Sequence, residues 1–255
     1  MTTSATTSPL ATYALRLGDD ALVLAQRLAE WSAKAPELEE DVALTNIGLD
    51  LLGQARALLS YAGEVEGKGR DEDSLAFLRE ERDFLNVQLV EQPNGDFAQT
   101  IARQLFFSSW QLAVYDGLTS SADDTIAAVA AKGVKEVAYH HDHAVQWTLR
   151  LGDGTSESHQ RMQAGLDRMW PFVEELFVSD EVEASLTEQG VAVDVSTLRT
   201  DWEETVGAVL AEATLERPDA SWTARGGRNG IHSESFGYLL AEMQHLHRSH
   251  PGARW

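Results

Sequence analysis

The chain has no cysteine. Disulfides, thiolate metal ligands and thiol nucleophiles are therefore excluded together, and the absence fits a reducing, cytoplasmic setting. Long apolar runs are missing too. No window approaches about eighteen uninterrupted apolar residues, so no membrane-spanning helix and no membrane partner are expected. Positive charge is scarce: 20 lysines and arginines stand against 41 acidic residues, a net charge of −21. The acids are spread along the chain, so phosphate-rich partners are repelled and nucleic-acid binding is not expected. The same field counts, more weakly, against gripping an anionic cofactor, although a few arginines can do so locally. No segment alternates as a half-buried strand does. The start, MTTSATTSPL, lacks the basic residues and apolar core of a signal peptide, and residues 1–9 read as a flexible tail.

What is present is a core and a helical rhythm. With 255 residues and 43% apolar content, the chain suits one folded domain over 1–255. Leu10, Ala14, Leu17, Ala21, Leu24, Leu28 and Trp31 alternate steps of four and three, one apolar stripe along a long helix. A second long helix is expected from Glu37 to Ala62, stopped by Gly63. EVEGKGRDED reads as a loop, followed by a shorter helix near Ser74 to Asn86 and a Pro-Asn-Gly turn at 93–95. Asp96 caps a helix to about Leu118, and Asp123 or Asp124 opens one to about Gly152. A helix from Ser158 to Phe177 should bend at Trp170-Pro171. Helices near 180–189, 196–214 and 233–248 complete the set, the last preceded by the glycine-rich TARGGRNGIH. Four long helices of about twenty residues or more suggest an all-α four-helix bundle with additional short helices.

The stretch KEVAYHHDHA, at 135–144, raises the question of metal. At 100° per residue, Glu136, His140 and His143 fall within about 60° of one another, with His141 on the opposite flank and Asp142 pointing away. One helix can thus offer Glu136, His140 and His143 to an ion, but an amphipathic helix with a histidine-rich margin gives the same pattern. A di-iron bundle site needs a glutamate from each of two helices and a Glu-x-x-His from each of two others, all inward. The slot on the second helix reads Asp50 to Gly53, with no side chain where histidine belongs. The slot on the helix at 124–152 reads Glu136 to Tyr139, with tyrosine in the histidine position. Asn46, Asp50, Gly53 and Ala57 form a small, polar stripe suited to close helix packing. In the first helix Asp19 and Glu30 point outward and Asp20 only flanks the stripe, and the helix at 97–118 offers the neutral Gln104. One literal Glu-x-x-His, Glu242 to His245, has no mate. The pattern is that of a di-iron bundle without a di-iron site.

Other chemistries find less. GGRNG follows no strand and lacks a P-loop lysine, and no Gly-x-Ser-x-Gly elbow occurs. On the helix at 97–118, Ile101, Leu105 and Leu112 make one apolar face. Phe106, Phe107, Trp110 and Val114 make a second arc roughly 100° wide. A helix apolar on two faces must be covered on both, either by the chain's own extra helices or by a partner; the aromatic arc is the candidate partner interface.

The segments YALRLGDDALVLAQRLAEW, DVALTNIGLDLLGQARALLSYA, LVEQPNGDFAQTIARQLF, KEVAYH and GYLLAEMQHL, with PGARW at the end, follow one another over nearly the whole chain from Tyr13 to Trp255. In this order they resemble the C-subunit family of bacterial phenylacetyl-CoA epoxidases. The resemblance implies a ferritin-like fold and a cytoplasmic, multicomponent monooxygenase of phenylacetate catabolism that uses O2 and NADPH. It implies that the di-iron centre and the CoA-ester site belong to a catalytic, ferritin-like A subunit. This chain would be its non-catalytic structural partner, with no catalytic, cofactor-binding or metal residue of its own. A reductase subunit with flavin and an iron–sulfur cluster would deliver electrons, and a small B subunit would help assembly. The eroded slots at Asp50/Gly53 and Glu136/Tyr139 agree with that role; the family gives none to His141, His143 or the Glu242–His245 pair. Two rivals remain: a di-iron oxygenase using Glu136, His140 and Asp50 as atypical ligands, and a metal-storage or metal-sensing bundle built on the histidine cluster.

Overall fold

A computed structural model describes residues 8–253. Among them every regular element is helical and none is a strand. The elements are α1 (Pro9–Ala29), α2 (Leu38–Glu66), α3 (Glu72–Phe77), α4 (Gln88–Glu91), α5 (Phe97–Leu118), α6 (Asp124–Gly152), α7 (Ser156–Met169), α8 (Glu181–Glu188), α9 (Arg199–Glu212) and α10 (Glu234–Ser249), with short 3-10 turns between several of them. Among the described residues no helix is long and apolar enough to cross a membrane.

The N-terminal expectation needs correcting at one end. Residues 1–7 of the expected tail lie outside the described residues, but Pro9 is the first residue of α1, where its missing N–H would have been unpaired anyway. The stop at Gly63 is also displaced. Helix α2 runs on to Glu66 and ends at Gly67, which adopts the left-handed conformation with φ 66°. Gly63 serves close approach instead: a Cβ there would lie 2.1 Å from the Arg70 carbonyl oxygen. The Asp96 and Asp123 caps are as expected, their side chains accepting from the Gln99 and Ile126 amides. The expected bend at Pro171 is a full stop. Helix α7 ends at Met169, and the chain continues as 3-10 turns at Trp170–Phe172 and Glu174–Phe177.

Helices α1 and α2 pack antiparallel, with Gly18 against Leu58 and Leu59 at one end and Gly48 against Ala25 and Leu28 at the other. Helices α5 and α6 form a second antiparallel pair, joined at Ser109–His141 and at Gly133, where a Cβ would overlap the Tyr115 ring. The pairs face each other through α2 and α6, and Trp31, just beyond the end of α1, donates to Thr100 of α5. The buried apolar residues form one core through all of these helices.

The rest of the chain wraps α1 and α5. Asp19 and Asp20 are fully buried, against the expectation that Asp19 points outward, because the 79–92 segment and the glycine-rich loop lie over that side of α1. Asp19 pairs with Arg79 and accepts from the Leu85 amide. Asp20 accepts from the Val87 amide and pairs in bidentate fashion with Arg228 at 2.8 and 3.0 Å. Helices α7 and α9 cover α5. Trp202 of α9 donates to the Phe106 carbonyl at 3.1 Å, and both Trp170 and Trp202 pack on the Phe106 ring. Phe106, Phe107, Trp110 and Val114 are therefore buried within the chain. The aromatic arc is core, not a partner interface. The outer side of α2 stays open, with Leu38, Val42, Leu49 and Leu52 exposed.

Candidate functional site

The candidate site is the seam where α2 and α6 face one another. On α2 the buried positions step through Leu44, Ile47, Leu51, Gln54 and Leu58; on α6 they step through Ile126, Ala130, Gly133, Val137, His140, Ala144 and Thr148. These steps of three and four define which residues point inward. They move both expected slots by one residue. On α2 the inward pair three apart is Leu51 and Gln54, not Asp50 and Gly53; Gly53 is exposed and Asp50 half-buried. On α6 it is Val137 and His140, not Glu136 and Tyr139; Tyr139 is exposed and His140 is 1% exposed. Histidine is thus present at one inward position, but the glutamate of a Glu-x-x-His is replaced there by Val137. Asn46, Gly53 and Ala57 line the open side of α2 and do not serve close packing against the core.

The polar side chains of the seam form separate rungs. Gln54 donates to Glu136 at 2.9 Å and accepts from Gln111 and Tyr115, each at 3.1 Å. Lys132 lies 3.4 Å from the other Glu136 oxygen. Further along, His140 Nε2 lies 3.1 Å from Asp50, and His143 Nε2 lies 2.7 Å from Glu40. His141, on the opposite flank, meets the Ser109 hydroxyl at 3.3 Å. Glu136, His140 and His143 therefore each have a different partner on α2, and do not converge on one point. Among the described residues, no group of three or more histidines and carboxylates is gathered to hold a metal ion. A carboxylate-bridged pair of irons needs about six inward oxygen and nitrogen ligands; the residues present do not fit that group. Glu242 and His245 are both exposed on α10, and it is Gln244 between them that points inward to the Ala76 and Arg79 carbonyls.

Burial sets the acid–base character of two of these histidines. It lowers the pKa of His140, against the hydrogen bond and charge of Asp50, and it lowers that of His141. His140 is thus held as neutral imidazole. Repulsion from His143 is only a minor contribution at His140, so desolvation and not crowding lowers it.

Gln54 and Tyr115 were missed by the sequence reading, yet a signal existed. Gln54 interrupts an otherwise apolar stripe at its centre, and a buried amide in such a place needs partners. A second missed group is the buried pair Glu91–His232, at 2.7 Å, whose carboxylate also accepts from Asn86 and the Ser233 amide. It belongs to the glycine-rich loop, which has no catalytic motif. Its role is to tie the end of that loop onto α4 and the segment before it, through Glu91 and the Phe84 carbonyl.

Comparison with known proteins gives two matches. A family model described as phenylacetic acid catabolic protein matches residues 1–255. The chain is also 53% identical over 246 residues to a protein of Escherichia coli (strain K12) that is named as the C subunit of 1,2-phenylacetyl-CoA epoxidase. That alignment covers 96% of this chain and 99% of the relative.

Proposed function

The chain belongs to the phenylacetic acid catabolic protein family, and from that premise we propose that it is the non-catalytic structural subunit of a phenylacetyl-CoA epoxidase complex. In this reading the two antiparallel pairs form a ferritin-like four-helix bundle, the single domain of the chain. The bundle keeps the architecture of a di-iron oxygenase without its ligands. The observation that carries the proposal is the α2–α6 seam. Its inward positions hold Leu51, Gln54, Val137 and His140, and its carboxylates and histidines are consumed in separate cross-helix rungs.

The partner is the catalytic, ferritin-like subunit that holds the di-iron centre and the CoA ester. A small assembly subunit joins the complex, and a flavin and iron–sulfur reductase using NADPH docks transiently. The partner face is the open side of α2. Leu38, Val42, Leu49 and Leu52 are 75%, 52%, 59% and 47% exposed, and their steps of four, seven and three lie along one line of a helix. That line borders a mostly apolar groove of 380 Å³ lined by Leu49, Leu52, Phe77 and Met243. Exposed apolar lines of this kind mark interaction surfaces, and stable subunit pairs bury ~2,000 Å² or more around apolar anchors. The role of the chain is then to brace the catalytic bundle and cover apolar area that would otherwise meet water.

The test is co-purification. Co-expression with a catalytic subunit should raise the soluble yield of this chain and give a stable complex. Leu49→Glu with Leu52→Glu should abolish co-purification while leaving the helical signal and melting temperature near those of the parent. A doubly substituted chain that still captures the catalytic subunit at parental yield would remove this face of α2 from the interface.

A further inference from the structure

We propose that the hollow between the α2–α3 loop and the turn at 81–83 is a binding site for a phosphate-bearing small molecule. The inference does not depend on the epoxidase reading. The hollow measures 530 Å³, and Lys68, Arg70, Arg79 and Arg82 line it, with Asp83 as its one carboxylate and Thr12, Leu15 and Leu85 completing the wall. Four of the chain's 20 cations face one space in a molecule that carries 41 acids. In a chain of net charge −21, a gathering of four cations around one carboxylate is the local feature an anion would be drawn to.

The cations differ in how far they are engaged. Arg79 is committed to the fold through Asp19 and the Leu75 and Asp83 carbonyls. Lys68 and Arg70 share the Glu66 carboxylate from behind, at 3.4 and 2.5 Å, and keep further donors free. Arg82 is exposed, and its guanidinium makes no hydrogen bond or ion pair among the described residues. Its backbone is nevertheless fixed: Glu80 and Asp83 cap the turn reciprocally, and Gly230 lies against the Arg82 carbonyl. A free guanidinium on a fixed backbone is pre-organised for a planar, bidentate oxyanion.

The loop that carries Lys68 and Arg70 also holds unengaged backbone amides. Gly67 and Gly69 are left-handed, at φ 66° and 72°, with Lys68 of ordinary φ between them. Alternation of this kind lets successive amides turn toward one anion. The Lys68, Gly69 and Arg70 amides donate no backbone hydrogen bond among the described residues. Open space surrounds both glycine Cα positions, so the left-handed conformation, not crowding, is what requires glycine. Charged side chains plus unengaged amides are the donor set a phosphate oxygen takes, and a hollow of this volume accommodates more than one phosphate group.

The experiment is calorimetric titration of the full chain with inorganic pyrophosphate, at ionic strength matched with sodium chloride. Saturable binding at a single site is expected, strengthened at low salt. Arg82→Ala and Lys68→Ala, neither of which carries a core contact, should each weaken it by about tenfold with the ligand-free melting temperature unchanged. Lys135→Ala, an exposed cation on α6, should leave binding as in the parent. Absence of saturable heat would overturn the proposal, and so would equal weakening by Lys135→Ala. Tighter binding of a hexaglutamate peptide than of pyrophosphate at the same ionic strength would also overturn it, by making the hollow a docking surface for an acidic chain.

Discussion

His232 is held between two acceptors. Its Nδ1 lies 2.7 Å from the Glu91 carboxylate and its Nε2 lies 3.0 Å from the Phe84 carbonyl, so both nitrogens are satisfied as donors only when the ring is an imidazolium. Burial opposes that charge, but the hydrogen bond and charge of Glu91, helped by the Phe84 carbonyl, outweigh it and raise the pKa. A raised histidine pKa gives stabilisation that is complete below the unfolded value of about 6.5 and fades as pH rises through the folded value. The stability lost in His232→Gln, read from urea midpoints, should therefore be largest at about pH 6 and shrink by about pH 8. His140 and His141 work in the opposite sense. Their lowered values mean that the unfolded chain binds more protons, so stability drops as pH falls below about 6.5. His140→Gln with His141→Gln should flatten that acid-side slope; an unchanged slope would show that their burial is not what the protons sense. The Asp20–Arg228 pair gives a prediction in energy. Arg228→Leu leaves a fully buried carboxylate without its cation and should cost about 3–5 kcal/mol. Adding Asp20→Asn should recover much of that loss in chemical denaturation.

At the scale of elements, α5 shows how two apolar faces are resolved. Periodicity placed aromatic residues on a second arc of this helix, and periodicity alone leaves open who covers it. The chain covers it itself, with Trp170 and Trp202 against Phe106. Trp110→Glu should therefore act on folding and not on assembly. A carboxylate at a position only 2% exposed should cost about 4 kcal/mol or more. Loss of the helical circular dichroism signal at room temperature, or a collapse of the melting temperature, would be the readout. On α2 the logic reverses. Its seam with α6 was legible as helical, but its rotation was not. A one-residue shift exchanged Gly53 for Gln54 and Tyr139 for His140 as inward groups, because packing against both α1 and α6 averages the stripe over a wide face. Caps were easier to read: Asp96 and Asp123 satisfy amides only a few residues ahead of them, an interaction that needs no distant chain.

At the scale of the whole molecule, the prediction is about content. A chain whose histidines and carboxylates are tied in separate rungs should purify with well below one tightly bound iron per chain, and should show no oxygenase activity by itself. Elemental analysis of the chain made without partners tests this. Two irons per chain, lost on replacing Glu136 and His140, would overturn the structural-subunit reading and favour the oxygenase with atypical ligands. Stoichiometric zinc or another metal lost on replacing His140 and His143 would favour a metal-storage bundle.

Composition and periodicity by themselves determined that this protein is helical, where its long helices lie, and that no thiol chemistry is available to it. These properties follow from residue type and from spacings within a few turns, which the chain expresses wherever it folds. Only the tertiary structure decided that Asp19 and Asp20 are buried beneath the 79–92 segment and the 225–233 loop, that Phe106 and Trp110 belong to the core, and that Leu49 and Leu52 face outward. Each of these depends on which distant segment lies over which helix. That is set by contacts between residues as far apart as Asp20 and Arg228, and no local pattern records such a contact.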